Sequence, residues 1–409
     1  MEKAGFSLLR LNRLGSALKG YVDRGEIAGA VTVVHRHGEE AYAEAVGWQD
    51  KEAGVPMKRD TLFRIMSMTK PVTTAAVLML VEEGRIRLHD PVDSWLPELA
   101  NRVVLRDPDG PLNDVYPAPR PITLHDLLTS RFGLGWGVHP LQSAMMALLP
   151  APLAQTLGIG QSEPLDPDAW MKRVGEPPLV YEPGTRFLYH IAHEILGVLI
   201  TRVTGQSLEA FFRERIFEPL KMADTGFVLP PEKRSRLSTA YEPGTGGGLK
   251  IADDPRTTGW TQAPLFPSGG GGLLSTADDY QRFGRMLLGQ GELDGVRLLS
   301  RKSVEAMTTD YLTPEQHTQP FFDETDFDGT PVWTNKGYGY GVSVRIRQIG
   351  IGPSVGSFFW PGALGSTWIA DPKEKLMATL MIQLNGAQLP NNSKIALDFW
   401  TMMYQAMID

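Results

Sequence analysis

The sequence predicts a mixed α/β (α+β) fold. A central antiparallel sheet is built from both ends of the chain and flanked by terminal helices, with a mostly helical region inserted between them. Three observations lead there. Residues 28–34 and 41–46 read as two strands around the His37-Gly38 turn. Further β-rich runs (340–346, 357–360, 366–370 and 376–384) come only near the other end, separated by Gly, Pro and Asp-Pro breaks. Residues 67–290 show mostly helical patterns joined by Pro- and Gly-rich loops.

The first element is an amphipathic helix over residues 1–22, in which Leu8, Leu9, Leu11 and Leu14 interleave with Arg10, Arg13 and Lys19. That is not the unbroken apolar core of a signal peptide. The longest apolar run, 75–81, is far short of the ~20 residues a membrane span needs. A soluble, cytoplasmic protein without membrane association is expected. The last element is an amphipathic helix over 395–407. The expected division is an α/β subdomain from 1–66 and 291–409 and a mostly helical subdomain from 67–290, with the active site between them. Residues 132–183, rich in Pro, Leu and Met and poor in regular pattern, read as a lid or pocket wall.

Composition narrows the chemistry. The chain has 409 residues and no cysteine, so a thiol nucleophile, a disulfide scaffold and cysteine-ligated metals are excluded. Its net charge of −7 is wrong for coating nucleic acid or anionic lipid.

The sharpest motif is Ser67-Met68-Thr69-Lys70, followed by Pro71 and a helix over 72–81 that is apolar nearly all round. Residues three apart share a helix face, so Lys70 can reach the Ser67 hydroxyl and, once desolvated, serve as its base. Proline is tolerated in a first turn, whose amides have no intrahelical partner. A second Ser-x-x-Lys, Ser16 to Lys19, lies in the amphipathic first helix and is read as surface. Gly352-Pro353-Ser354-Val355-Gly356 matches the G-x-S-x-G elbow, but a strand-like run follows it and no histidine lies beyond His317. It is read as a strand connection. His190, His193 and Glu194 lack H-E-x-x-H order, His35 and His37 alternate on a strand end, and Asp323, Asp326 and Asp328 lack calcium-loop spacing. No metal or cofactor is expected. A serine–lysine pair needs a third group to pass the proton on. Tyr189 is the best-placed phenol, with an ordinary pKa of about 10, directly before the apolar-faced helix that starts at Ile191.

Together these stretches resemble the serine β-lactamase-like superfamily, most closely the family VIII carboxylesterases related to class C β-lactamases and D-Ala-D-Ala carboxypeptidases. The resemblance rests on Phe63 to Pro71, on Ile122-Thr123-Leu124-His125-Asp126-Leu127-Leu128-Thr129-Ser130 and on Tyr181-Glu182-Pro183-Gly184-Thr185 through Ile191. It rests also on the glycine-rich element Gly270 to Asp279 and on Trp360-Pro361-Gly362 through Asp371-Pro372. The resemblance implies a serine β-lactamase/DD-peptidase-like fold and an acyl-enzyme mechanism on Ser67, with Lys70 and Tyr189 as base and acid. The oxyanion hole would be the amides of Ser67 and Ala363. Where the β-lactamases carry Lys-Thr-Gly this chain has Trp360-Pro361-Gly362, and their Tyr-x-Asn ends here in Ile191. Those departures point away from anionic drugs or peptide termini and towards neutral esters, with weak β-lactam turnover left open; short acyl chains are what the family resemblance implies. Trp360, Gly362, Trp136, Met145 and Met146 are the expected substrate contacts. The expected partner is a small-molecule ester; the oligomeric state stays open. The alternatives are a β-lactamase or D-Ala-D-Ala peptidase, an acyltransferase with an alcohol acceptor, and a non-catalytic binding module.

Overall fold

The computed structural model describes residues 2–137, 139, 141–158, 164–319, 330–386 and 390–409, the side chains of 390–393 aside. Asp323, Asp326 and Asp328 lie outside the described residues. The helices are α1 (Leu8–Asp23), α2 (Thr69–Glu82), α3 (Leu124–Leu128), α4 (Gln142–Met146), α5 (Ala151–Thr156), α6 (Pro167–Gly175), α7 (Ile191–Thr204), α8 (Leu208–Phe212), α9 (Ala277–Leu288), α10 (Arg301–Met307) and α11 (Pro390–Tyr404). The strands that matter for the site are β1 (Gly29–Arg36), β2 (Glu39–Asp50), β3 (Val55–Pro56), β4 (Phe63–Arg64), β5 (Leu274–Ser275), β6 (Lys336–Tyr338), β7 (Ser343–Arg345), β8 (Phe358–Phe359), β9 (Thr367–Asp371) and β10 (Leu376–Met381).

Eight of these strands form one antiparallel sheet in the order β6-β7-β8-β9-β10-β1-β2-β3. The seam between the two chain ends is the β10–β1 pairing, from Leu376 opposite Arg36 to Met381 opposite Val31. Side chains alternate across a strand, so both faces of the seam must be apolar if both are covered. They are. Val31, Val33, Met377 and Met381 enter a core shared with α2, α7 and α9. Ala30, Val34, Leu376, Ala378 and Leu380 enter a second core beneath α1 and α11.

The first helix is shorter than its leucine pattern predicts, because residues 2–7 form a small hairpin instead. Ala4 and Gly5 take positive φ, and the Ser7 amide donates to Ala406 O at 2.9 Å. Strand β6 escapes sequence reading because Gly337 and its neighbour Gly339 give it almost no side-chain signal. The region 132–183 also departs from expectation, since it carries α4, α5 and α6. The start of α6 was legible in principle: Asp166 caps it by accepting from the Ala169 amide, and Pro167 follows in the first turn. Ser354, in the rejected elbow, lies between β7 and β8 and donates its amide to Asp371 Oδ2 at 2.9 Å. Lys19 of the second Ser-x-x-Lys pairs with Asp23 on the surface.

One buried ion pair braces the segment before Ser67. Arg64 has no exposed side-chain surface and lies 3.0 Å from Asp253 Oδ2, itself buried. Breaking one half of such a pair leaves an uncompensated interior charge. Asp253→Ala should therefore destabilise the protein by about 3–5 kcal/mol, read as a lower urea midpoint with an unchanged slope.

Candidate active site

The segment carrying Ser67 is held from three sides. β4 pairs with β5, and the Ile65 amide donates to Leu273 O at 3.0 Å. The Gln383 amide side chain clasps the Arg64 backbone, accepting from its N–H and donating to its C=O, both at 3.1 Å. Tyr280 Oη donates to Met68 O at 2.8 Å. Met66 then takes φ +48° and turns the chain into a 3₁₀ turn, Met66–Met68, that runs straight into α2. Ser67 sits in that turn, so the helix proper begins two residues after it.

Lys70 points from the first turn of α2 to Ser67, with Nζ 3.0 Å from Oγ. It has no exposed surface. Its other contacts are Gly270 O at 2.7 Å and His190 Nδ1 at 3.2 Å. Burial pushes its pKa down to about 7, partly offset by the negative charge of Glu194. An amine with that pKa is largely neutral just above neutrality and can accept a proton from the serine. Tyr189 Oη donates to Ser67 Oγ at 2.8 Å from the other side and accepts from Trp360 Nε1 at 3.0 Å. The Lys70 amine also lies 4.6 Å above the Tyr189 ring centre.

Glycines make this proximity possible. Side chains at 269 and 270 would strike His193 O at 2.5 Å and Glu194 Oε1 at 2.6 Å, so the run can lay its carbonyls on α2 only without them. Gly269 O accepts from Thr73 Oγ1 at 2.6 Å. On the opposite side a Cβ at 362 would come within 2.4 Å of Ile65 O. The loop after β8 thus rests directly on the backbone leading to Ser67. Pro361 has no N–H, and the Gly362 amide is already spent on Ser366 O at 2.8 Å.

The expected substrate contacts are distributed unevenly. Trp136 and Ala363 are half-buried and pack against the cluster of Met66, Leu149 and Leu153. Trp136 and Tyr189 also exchange both backbone hydrogen bonds, each at 2.8 Å. Met146 is half-buried beside Gln142. Met145 is corrected: its side chain is 2% exposed and packs into the main core. Trp360 is more than an expected substrate contact, because its N–H donates to Tyr189 Oη. Sequence reasoning missed the surroundings of Lys70, namely Gly270 O, His190 and Glu194. The available signal was Glu194 itself, an acid among the apolar residues at the start of α7.

The family model described as Beta-lactamase matches residues 14–398. The chain belongs to the beta-lactamase family. Within that family, Protein Rv1367c of Mycobacterium tuberculosis (strain ATCC 25618 / H37Rv) is 41% identical over 379 residues, covering 90% of this chain and 88% of its own. Esterase EstB of Burkholderia gladioli is 32% identical over 369 residues, covering 84% and 83%. The solved structure of EstCE1, described as a hydrolase with promiscuous acyltransferase activity, matches with TM-score 0.76 at 24% identity, over 98% of this chain and all of that one. At that identity the likeness concerns the fold. The beta-lactamase fold, with an esterase relative at this identity, gives the coarse assignment: a serine hydrolase of esterase type.

Trp360→Phe keeps an aromatic ring and removes one hydrogen bond to Tyr189. Losing a bond of about 1–1.5 kcal/mol should lower kcat/KM for an activated ester roughly tenfold, with some loss of thermal stability from the smaller buried side chain.

Proposed function

We propose that this protein hydrolyses neutral, short-chain carboxylic esters through an acyl-enzyme on Ser67. The observation that carries the reading is the directed hydrogen-bond chain Trp360 Nε1–H to Tyr189 Oη–H to Ser67 Oγ, with a buried, low-pKa Lys70 on the other side of that oxygen. In this mechanism Ser67 Oγ attacks the ester carbonyl and its proton passes to Lys70. Tyr189 donates to the departing alkoxide, so the C–O bond breaks as the alcohol leaves. Water then attacks the acyl-enzyme with the same groups reversed. The oxyanion takes the amides of Ser67 and Ala363, the latter being the N–H next in line after Pro361 and the occupied Gly362.

Trp360 supports the choice of substrate. It offers an aromatic face, packed with Phe187, Trp333 and Tyr338, where an anion-binding site needs a cation. Trp136, Met146 and Ala363 are assigned to the opposite wall. A second reading, transfer of the acyl group to an alcohol, is supported by relatives named as acyltransferases, such as Acyltransferase mokF of Monascus pilosus at 29% identity.

A panel of p-nitrophenyl esters and a chromogenic cephalosporin tests the reading. Short-chain esters should be turned over with little cephalosporin cleavage, and Ser67→Ala should lower ester turnover by at least about 10³-fold. Ester turnover that survives Ser67→Ala would sink the proposal. Activity should also rise with pH through about 7, because Lys70 must lose its proton before it can act as a base. An acid limb near pH 9 or above contradicts that role.

A further inference from the structure

His190 and Glu194 stand behind Lys70, and nothing in the mechanism above uses them. Both are buried, with His190 at 3% and Glu194 at 0% exposure. His190 Nδ1 lies 3.2 Å from Lys70 Nζ, and on the far side of the ring Nε2 lies 3.0 Å from Glu194 Oε1. The pair does not meet hydrogen-bond geometry, so the contact is mainly electrostatic. A carboxylate on the Nε2 side fixes the proton there and leaves the Nδ1 lone pair facing the amine. Glu194 is oriented in turn: Ser268 Oγ donates to Oε1 at 2.5 Å and itself accepts from the Gly271 amide at 2.9 Å.

The ring has little freedom. Trp136 stacks on it with centroids 4.1 Å apart and planes 8° from parallel. The backbone is held as firmly. His190 takes φ +73° and ψ −63°, and the Ile191 amide bonds back to Tyr189 O at 3.0 Å. That is a strained γ-turn. It delivers Tyr189 and His190, adjacent in sequence, to Ser67 Oγ and Lys70 Nζ respectively.

We propose that His190, oriented by Glu194, is a positioning residue that stabilises the ammonium formed on Lys70 when it takes the Ser67 proton. The inference rests on Lys70 being the base, as proposed above. When the proton crosses, the new ammonium finds three acceptors: Gly270 O, His190 Nδ1 and Ser67 Oγ. Charge-assisted bonds are the strong ones, so the Nδ1 contact tightens as the charge appears. Glu194 supplies the compensating negative charge one ring away. The other titratable groups facing this amine are His193, also on α7, and Tyr189; both histidines are pushed down by burial and stay neutral. From the glycine run come only carbonyls and Ser268.

The test measures Ser67 activation without requiring turnover. A fluorophosphonate labels the serine as the Oγ–P bond forms, fluoride leaves and the proton goes to Lys70. Labelling rates would be followed from about pH 5 to about pH 9 for the wild type, Glu194→Gln, His190→Phe and His190→Asn. The wild-type acid limb is expected near pH 7. In Glu194→Gln and His190→Phe the limb should move down by about 1 pH unit and the plateau fall about tenfold, because the amine becomes a weaker base. His190→Asn places an amide oxygen where Nδ1 was, tolerates the positive φ, and should keep the wild-type limb. A limb unmoved in Glu194→Gln overturns the proposal, whether or not the plateau falls. That variant is isosteric and tests the Glu194 part if His190→Phe fails to fold; a limb displaced in His190→Asn then counts against the Nδ1 part. Labelling of Ser67 without ester turnover would count against the ester substrate alone and leave this test intact.

Discussion

An amine sealed from water beside a serine hydroxyl is the constraint around which this structure is arranged. Lowering the Lys70 pKa from 10.5 to about 7 corresponds to about 5 kcal/mol against the charged form. The surrounding atoms must therefore do two things. They must exclude water so completely that the neutral amine predominates at working pH. They must also offer enough acceptors that the ammonium is tolerable once it forms. Gly270 O, His190 Nδ1 and the nearby Glu194 meet the second demand; α2, α7 and the glycine run meet the first.

Much of the local backbone makes sense as service to that amine. Gly269 and Gly270 carry no side chains because a Cβ there would strike His193 O or Glu194 on α7 while their carbonyls accept from Thr73 and Lys70 on α2. Gly362 is bare because the loop after β8 rests on Ile65 O. Met66 and His190, the residues just before Ser67 and just after Tyr189, both hold positive φ. Such strain persists only where packing over-determines it, and here a buried ion pair, a glutamine clasp and an aromatic stack supply that packing. The sheet contributes at a distance. By joining β10 to β1 it brings the loop that carries Trp360 and Gly362 up against the segment that carries Ser67.

How much of this could be read from the sequence depended on the range of the interaction. Ser67 and Lys70 were legible because a three-residue helical spacing is a local rule. Tyr189 was legible because the helix after it announces itself by periodicity. The antiparallel sheet was legible from β-rich runs at both ends, near-continuously apolar where both faces of the seam are covered. Non-local contacts were not. Nothing in Gly270 shows that its carbonyl would accept from Lys70, 200 residues earlier. His190 and Glu194 have the spacing of a helical pair, yet only the fold reveals a lysine behind them. Met145 was misplaced for the complementary reason: a methionine in a Pro-rich stretch suits a pocket wall and a core equally well, and the short helix α4 turned it inward.

The most direct measurement is the titration of Lys70 itself. Lysines labelled with ¹³C at Cε can be followed by NMR across pH, with the Lys70 signal assigned by its loss in Lys70→Met. Lys70 is expected to change protonation near pH 7, well below the ordinary lysine range. A Lys70 that stays protonated above pH 9 would contradict it, because an ammonium cannot take the proton of Ser67.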